Sequence, residues 1–304
     1  MRRTELAYTG ADDLRRMQAA VAAAFATTGI RVGDLAWLSR QQTHRHLSLD
    51  IRLWENDDGR LIGWTFVRTN GGFNVFVAPG HGDPAFVDDM LDVVEEAART
   101  AAAAGDAVNG LYTYGIDLAR SEEDRVLASA LRRHGFAPVP STGGVLRRDL
   151  GRLPTPEVPA GYRLAYVDTA AQVLGRVEAH RAAFAPSEVT AKMYERVRRA
   201  WPYRPELDRI ATTEDGEVVA FCTAWIDAEN AAGLLEPVGT HPRHRRRGLA
   251  RTVCLDALRV LREAGARTAE VGFGNQAAFA TYSSIGFARQ ADDLTFRRDV
   301  LAAR

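Results

Sequence analysis

Two halves of this sequence carry the same local signals in the same order, on either side of a proline-rich junction. The junction is Leu150-Gly-Arg-Leu-Pro154-Thr-Pro156-Glu-Val-Pro159-Ala-Gly161. Its prolines fix φ and lack N–H groups, so neither a helix nor an interior strand can run through it. In each half a turn leads into an apolar strand, Asp58-Gly59-Arg-Leu-Ile-Gly-Trp and Asp215-Gly216-Glu-Val-Val-Ala-Phe. A second strand ends at proline, over Gly72–Pro79 and Gly233–Pro242. Helices expected over Asp83–Ala104 and Gly248–Ala264 each stop at a glycine, Gly105 and Gly265. A short helix then ends in Gly-Phe (Gly135-Phe136, Gly286-Phe287), and a last strand ends in Arg-Arg-Asp (Arg147–Asp149, Arg297–Asp299). Five features in one order imply tandem duplication of one α/β domain, a mixed sheet flanked by helices. The expected bounds are 1–150 for the first copy, 151–161 for the linker and 162–304 for the second copy.

The length of 304 residues suits two cores of ordinary size. The 39 basic residues balance the 39 acidic ones, which gives no global footprint for nucleic acid or a membrane surface. Only Lys192 among the basic residues is lysine, so a lone arginine carries little information here. The N-terminal charges are not followed by an apolar stretch, and the run Ala19–Ala26 is too short to span a bilayer. A cytoplasmic protein is expected. Cys222 and Cys254 fall inside a strand and a helix and read as buried small hydrophobes.

The chemistry lies in Leu234-Leu-Glu-Pro-Val-Gly-Thr-His-Pro-Arg-His-Arg-Arg-Arg-Gly-Leu-Ala-Arg251. A strand over Leu234–Thr240 gives way to a helix whose apolar face is Leu249, Val253, Ala257 and Leu261. Between them Arg245-x-x-Gly248-x-Ala250 occupies the helix start. A first turn leaves backbone N–H groups unpaired at the positive end of the helix dipole, which is an anion site. Glycine at 248 removes the side chain that would hold a diphosphate off those amides. Arg243, Arg245, Arg246, Arg247 and Arg251 add charge-assisted donors. No Gly-Lys-Ser/Thr is present, which disfavours triphosphate hydrolysis.

This segment resembles the acetyl-CoA-binding motif of the GNAT acyltransferases, Gln/Arg-x-x-Gly-x-Gly/Ala, set between a fourth strand and the next helix. Downstream, Asn275-x-x-Ala278-x-x-x-Tyr282-x-x-x-Gly286-Phe287 is similar to the family's last motif, with Thr281 at a usual leucine. The resemblance implies acetyl-CoA as co-substrate, its diphosphate cradled by the amides from Arg246 through Gly248, Leu249 and Ala250 to Arg251. It implies a pantetheine arm paired with the backbone of Val238 and Thr240, and a hydrogen bond from Asn275 to that arm. It further implies that the thioester would lie in a V-shaped splay between the fourth and fifth strands, with Gly239 as the candidate bulge that opens it. A backbone N–H near Val238 would polarise the thioester carbonyl.

Tyr282 is the candidate general acid, because direct acetyl transfer expels a thiolate whose parent thiol has a pKa near ~8.5. Glu236 is the candidate base for an ammonium substrate; strand alternation groups it with Val238 and Thr240, and the competing role is an ion pair with arginine. His241 and His244 have ligand-like spacing without an acidic or cysteine partner, and His44 and His46 lie in a charged stretch, so no metal is expected. The acceptor pocket is expected in Phe184–Asp208, where Trp201, Tyr203 and Glu206 are candidates beside loop packing.

At the place of Arg245–Ala250 the first half reads Pro79-Gly-His-Gly-Asp83-Pro84-Ala85, and no tyrosine stands at the place of Tyr282. It is expected to be a degenerate, non-catalytic copy that closes the acceptor pocket and imitates a dimer partner, giving a monomer or, failing that, a homodimer. The expected activity is N-acetylation of a small primary amine in a ternary complex. The alternatives are a tandem relative acting on a cysteinyl amine, a protein-lysine acetyltransferase and a non-catalytic acyl-CoA sensor.

Overall fold

The computed structural model describes residues 2–39, 51–68, 70–103, 110–139, 141, 143–290 and 293–299. His44, His46, Ala104 and Gly105 lie outside them. Up to the linker the elements are β1 (Thr4–Ala7), α1 (Ala11–Ala23), α2 (Val32–Leu38), β2 (Ile51–Glu55), β3 (Leu61–Val67), β4 (Phe73–Val77), α3 (Pro84–Ala103), β5 (Gly110–Ile116), α4 (Glu122–Arg133), β6 (Ala137–Val139) and β7 (Gly144–Asp149). After it come β8 (Tyr162–Tyr166), α5 (Ala170–Ala183), α6 (Ala191–Arg199), β9 (Asp208–Thr213), β10 (Val218–Asp227), β11 (Ala232–Thr240), α7 (Leu249–Glu263), β12 (Thr268–Phe273), α8 (Gln276–Ser284), β13 (Ala288–Arg289) and β14 (Leu294–Asp299).

These elements form two compact units that do not follow the bounds expected from sequence. The first gathers Met1–Arg31, Gln41–Thr142 and Ala291–Arg304; the second gathers Val32–Arg40 and Gly143–Gln290. Strand β7, before the linker, pairs with β12 and β13, whereas β14, at the far end of the chain, pairs with β5 and β6. The two copies have exchanged equivalent strands, the ones that end in Arg-Arg-Asp.

In the first unit β1-β2-β3-β4 form an antiparallel sheet and β5-β14-β6 a second one, joined by a bridge between Gly72 and Tyr112. Helix α3 covers this framework with Phe86, Val87, Met90, Leu91, Val94 and Ala98, spaced by three and four residues.

The second unit has one seven-stranded sheet in the order β13-β7-β12-β11-β10-β9-β8. Its interior strand β10 is buried along all ten residues, an apolar run interrupted only by Thr223 before it ends at Asp227. One face, with Cys222, Ala224 and Ile226, packs on Val253, Cys254, Ala257, Leu258 and Leu261 of α7. The other, with Phe221 and Trp225, packs on Val173 and Val177 of α5, Tyr194 and Val197 of α6, and Ala36 and Trp37 from α2 and its end. Strands β11 and β12 are parallel and paired only from Ala232–Leu235 to Thr268–Val271. Beyond Leu235, β11 keeps β10 alone, so the sheet opens into a V between Glu236–Thr240 and Gly272–Phe273.

Candidate active site

At the wide end of this V lies the start of α7. Gly248 is its N-cap with a left-handed φ of 81° and no side-chain cap. The first helical bond runs from the Thr252 N–H to the Gly248 carbonyl. Among the described residues no acceptor meets the N–H groups from Arg246 through Leu249 and Ala250 to Arg251. Arg246 is also left-handed, at φ 64°. Left-handed residues in such a turn bring successive N–H groups toward one point, the arrangement that binds anions. A β-carbon at Gly248 would meet nothing within 4 Å, so the glycine serves the turn and ligand approach, not packing.

The arginines divide by role. Arg243 pairs with Glu217 at 2.8 Å, and Arg247 donates to the Tyr162 hydroxyl at 3.0 Å. Arg245 donates to the carbonyls of Ala183 at 3.2 Å and Thr240 at 3.5 Å, which ties the loop to the end of α5. Arg246 and Arg251 meet no partner among the described residues and leave their guanidiniums for an anion. His244 bonds the Tyr162 hydroxyl at 2.8 Å, and His241 Nδ1 accepts from the Arg243 N–H at 3.3 Å. Both histidines thus brace the loop, and no group of three metal-ligating side chains occurs among the described residues.

The candidate bulge is displaced from the expected position. Gly239 pairs in regular register with Phe221, and the register shift lies between Leu235 and Val238. There Glu236 and Pro237 of β11, joined by a cis peptide bond, face the single residue Thr223. The reason is Pro237, which has no N–H to give the ladder. Gly239 instead makes room for its neighbour, because a β-carbon there would overlap the Phe221 ring. The Thr240 hydroxyl is buried without a partner, an orphan on the strand beside the V.

Glu236 is half-buried and forms no ion pair with an arginine among the described residues, which removes the structural alternative for it. Tyr282 is 6% exposed and packs edge-on against Phe287 at 6.2 Å. Its phenol has no hydrogen-bond partner among the described residues. Burial, then the Cys254 and Cys222 thiols, then the Glu236 carboxylate push the phenol's pKa well above its ordinary value. It is therefore a protonated donor throughout the neutral range. Both cysteines are fully buried, and burial pushes the Cys222 thiol up. Asn275 caps α8, its Oδ1 accepting from the Ala278 N–H at 2.9 Å, which leaves Nδ2 as the free donor.

The expected acceptor segment is more structural than its aromatics implied. Tyr203 and Tyr194 both donate to the buried Asp208, which also accepts from Thr223 at 2.8 Å and lies 3.6 Å from the buried Arg176. Glu206 pairs with Arg204 at 2.7 Å, and Trp201 is exposed. Sequence reasoning missed Trp225, whose indole N–H donates to the Glu236 carbonyl at 2.5 Å. The available signal was a tryptophan inside a mostly apolar strand, whose buried indole N–H needs an acceptor.

The fold and site together define an α/β domain whose sheet opens beside a bare helix start, an arrangement suited to an anion. Residues 175–287, within the second unit, match the Acetyltransferase (GNAT) family. It is 37% identical over 86 residues to mycothiol acetyltransferase of Kytococcus sedentarius, a match that spans 28% of this chain and 29% of that protein. The whole fold is similar to a tandem GNAT protein from the clavulanic acid biosynthesis pathway, at 16% identity, full coverage of both chains and a TM-score of 0.66. It is also similar to a GCN5-related N-acetyltransferase from Sphaerobacter thermophilus, at 20% identity, covering 98% of this chain and 95% of that one with a TM-score of 0.65. Among the described residues no helix is long and apolar enough to cross a membrane.

Proposed function

We propose that the second unit transfers the acetyl group of acetyl-CoA to the primary amine of a small molecule, directly and within a ternary complex. The observation that carries this reading is the run of unpartnered amides from Arg246 to Arg251 opening onto the V. Those amides and the guanidiniums of Arg246 and Arg251 hold the diphosphate. The free edge of β11 over Val238, Gly239 and Thr240 takes the pantetheine arm as an added strand, and Asn275 Nδ2 donates to it.

At the centre, Glu236 accepts the proton of the arriving ammonium, so that the neutral amine attacks the thioester carbonyl. A main-chain N–H in the Val238 stretch stabilises the charge that develops on the carbonyl oxygen. Tyr282 gives its proton to the departing thiolate, and the proton shed by the nitrogen as the amide forms restores the phenol; the absence of any competing acceptor for its hydroxyl favours the transfer.

The partial match to a mycothiol acetyltransferase supports a second, narrower reading, in which the amine belongs to a cysteinyl group. Release of free thiol from acetyl-CoA, followed across cysteinyl amines, aminoglycosides and lysine peptides, tests both. Release with a small amine is expected. Tight CoA binding with no release on any amine would turn the reading to an acyl-CoA sensor.

A further inference from the structure

The geometry points to Trp225 as a positioning residue for the reaction centre, braced from behind by α2 of the first half of the sequence. The register shift in β11 takes Glu236 and Pro237 out of the ladder with β10. A carbonyl released in this way inside a folded core needs another donor. The Glu236 carbonyl has one in the Trp225 indole N–H, at 2.5 Å. The residue that presents the candidate base is thus tied to one side chain, on the strand before the one where that base stands.

Trp225 is itself immobilised on two sides. It is fully buried, and the Tyr203 ring meets it edge-on at 6.1 Å with an interplanar angle of 66°. On its other flank stands Gly33 in α2, so close that any β-carbon there would overlap Cβ, Cγ and Cδ1 of Trp225. Ala36 and Trp37, one turn further on, enter the same core cluster as Trp225, Tyr194 and Leu234. A glycine early in a seven-residue helix costs helix stability relative to alanine, and here the close approach to the indole accounts for it. Through this contact a segment that precedes the first unit's β2, β3 and β4 in sequence sets the geometry of the second unit's active site.

This inference rests on the reading of Glu236–Val238 as the reaction centre. Its test uses the full-length chain with Trp225→Phe, which keeps a ring and removes the N–H. The expected result is a kcat about 10-fold lower, with the KM for acetyl-CoA and the calorimetric Kd for CoA changed less than twofold. Combining Trp225→Phe with Glu236→Gln should lower kcat no further than Glu236→Gln alone, because the first change acts through the second residue. Multiplying losses would overturn the inference, as would an unchanged kcat in Trp225→Phe. Gly33→Ala is the second variant, placed outside β10 and β11, and should lower kcat with the CoA affinity retained; full activity there overturns the bracing by α2. If Glu236→Gln alone keeps its kcat, the base assignment fails. A kcat loss in Trp225→Phe would then still show that the clamp positions the neighbouring main chain.

Discussion

The same strand–turn–helix junction occurs in both units, and the two copies differ in what satisfies the helix start. In the second unit Gly248 caps α7 with no side chain, and the amides that follow meet no acceptor. In the first unit the Asp83 carboxylate accepts from the Phe86 N–H at 3.1 Å and pairs with Arg3. Glu123, from the first turn of α4, accepts from the Gly80 N–H at 3.1 Å. The first unit therefore carries its own anions where the second leaves room for one. The adjoining sheet differs as well. Phe221 stands opposite Gly239, whereas Trp64 stands opposite Phe76 and stacks on it at 5.5 Å. Gly80 and Gly248 are both left-handed, at φ 79° and 81°, but Gly248 caps its helix whereas Gly80 lies three residues before Asp83, which caps α3. The turn supplies donors in either case; in the first unit two carboxylates accept from them, and in the second they stay unpartnered.

That contrast is broken most directly by parallel substitutions. Gly248→Val is expected to weaken CoA binding about 10³-fold, since two or three charge-assisted hydrogen bonds of about 1.5–3 kcal/mol each are lost. Gly80→Val imposes the same backbone strain and should leave calorimetric CoA affinity unchanged. Equal losses would show that fold damage, not ligand access, is being measured. Tyr282→Phe is the next largest, with an expected fall in kcat of about 10² and a Kd for CoA within twofold of the parent. An unchanged kcat would remove the phenol from proton transfer.

Much of this comparison was legible in the sequence. Gly248 and the arginines around it mark the proposed anion site, and Asp83 marks a helix start that carries its own carboxylate, because both follow from helix-end electrostatics alone. The exchange of β7 and β14 was not legible. Both strands end in Arg-Arg-Asp and suit either slot, so local pattern does not determine which sheet each one joins. The placement of α2 in the second unit escaped for a related reason: seven residues contain too little periodicity to specify a partner. The bulge was legible but misassigned to Gly239, although Pro237 two residues earlier is the residue that cannot serve an interior ladder. Trp225 was hidden because its role depends on that bulge.

The acidic turn of the first unit also carries a pH signature. Burial pushes Asp124 up to about 6 from an ordinary 3.8, with the Arg120 guanidinium at 3.6 Å and the Asp117 N–H opposing the shift. The folded pKa is raised, so the native state binds the extra proton between about pH 4 and pH 6. Stability is thus greatest at the acid end of that window and declines as pH rises through it, by at most about 2–3 kcal/mol. Asp124→Asn should remove that slope from the unfolding free energy of the first unit, measured by chemical denaturation at several pH values. A slope that survives assigns the proton to another group.

The smallest expected effect bears on the cap itself. Asp83 is about half exposed, so its cap and its pairing with Arg3 are both weakened by solvent. Asp83→Ala should therefore cost only about 1 kcal/mol, the usual value of an N-cap carboxylate. That loss is best read as an acceleration of about fivefold in hydrogen exchange at the Phe86 amide, because the opening is local. The same variant should gain no CoA affinity when Gly248→Val silences the second unit, since Glu123 still occupies the turn and Phe76 still fills the sheet. A gain would mean that Asp83 alone keeps the first copy from binding.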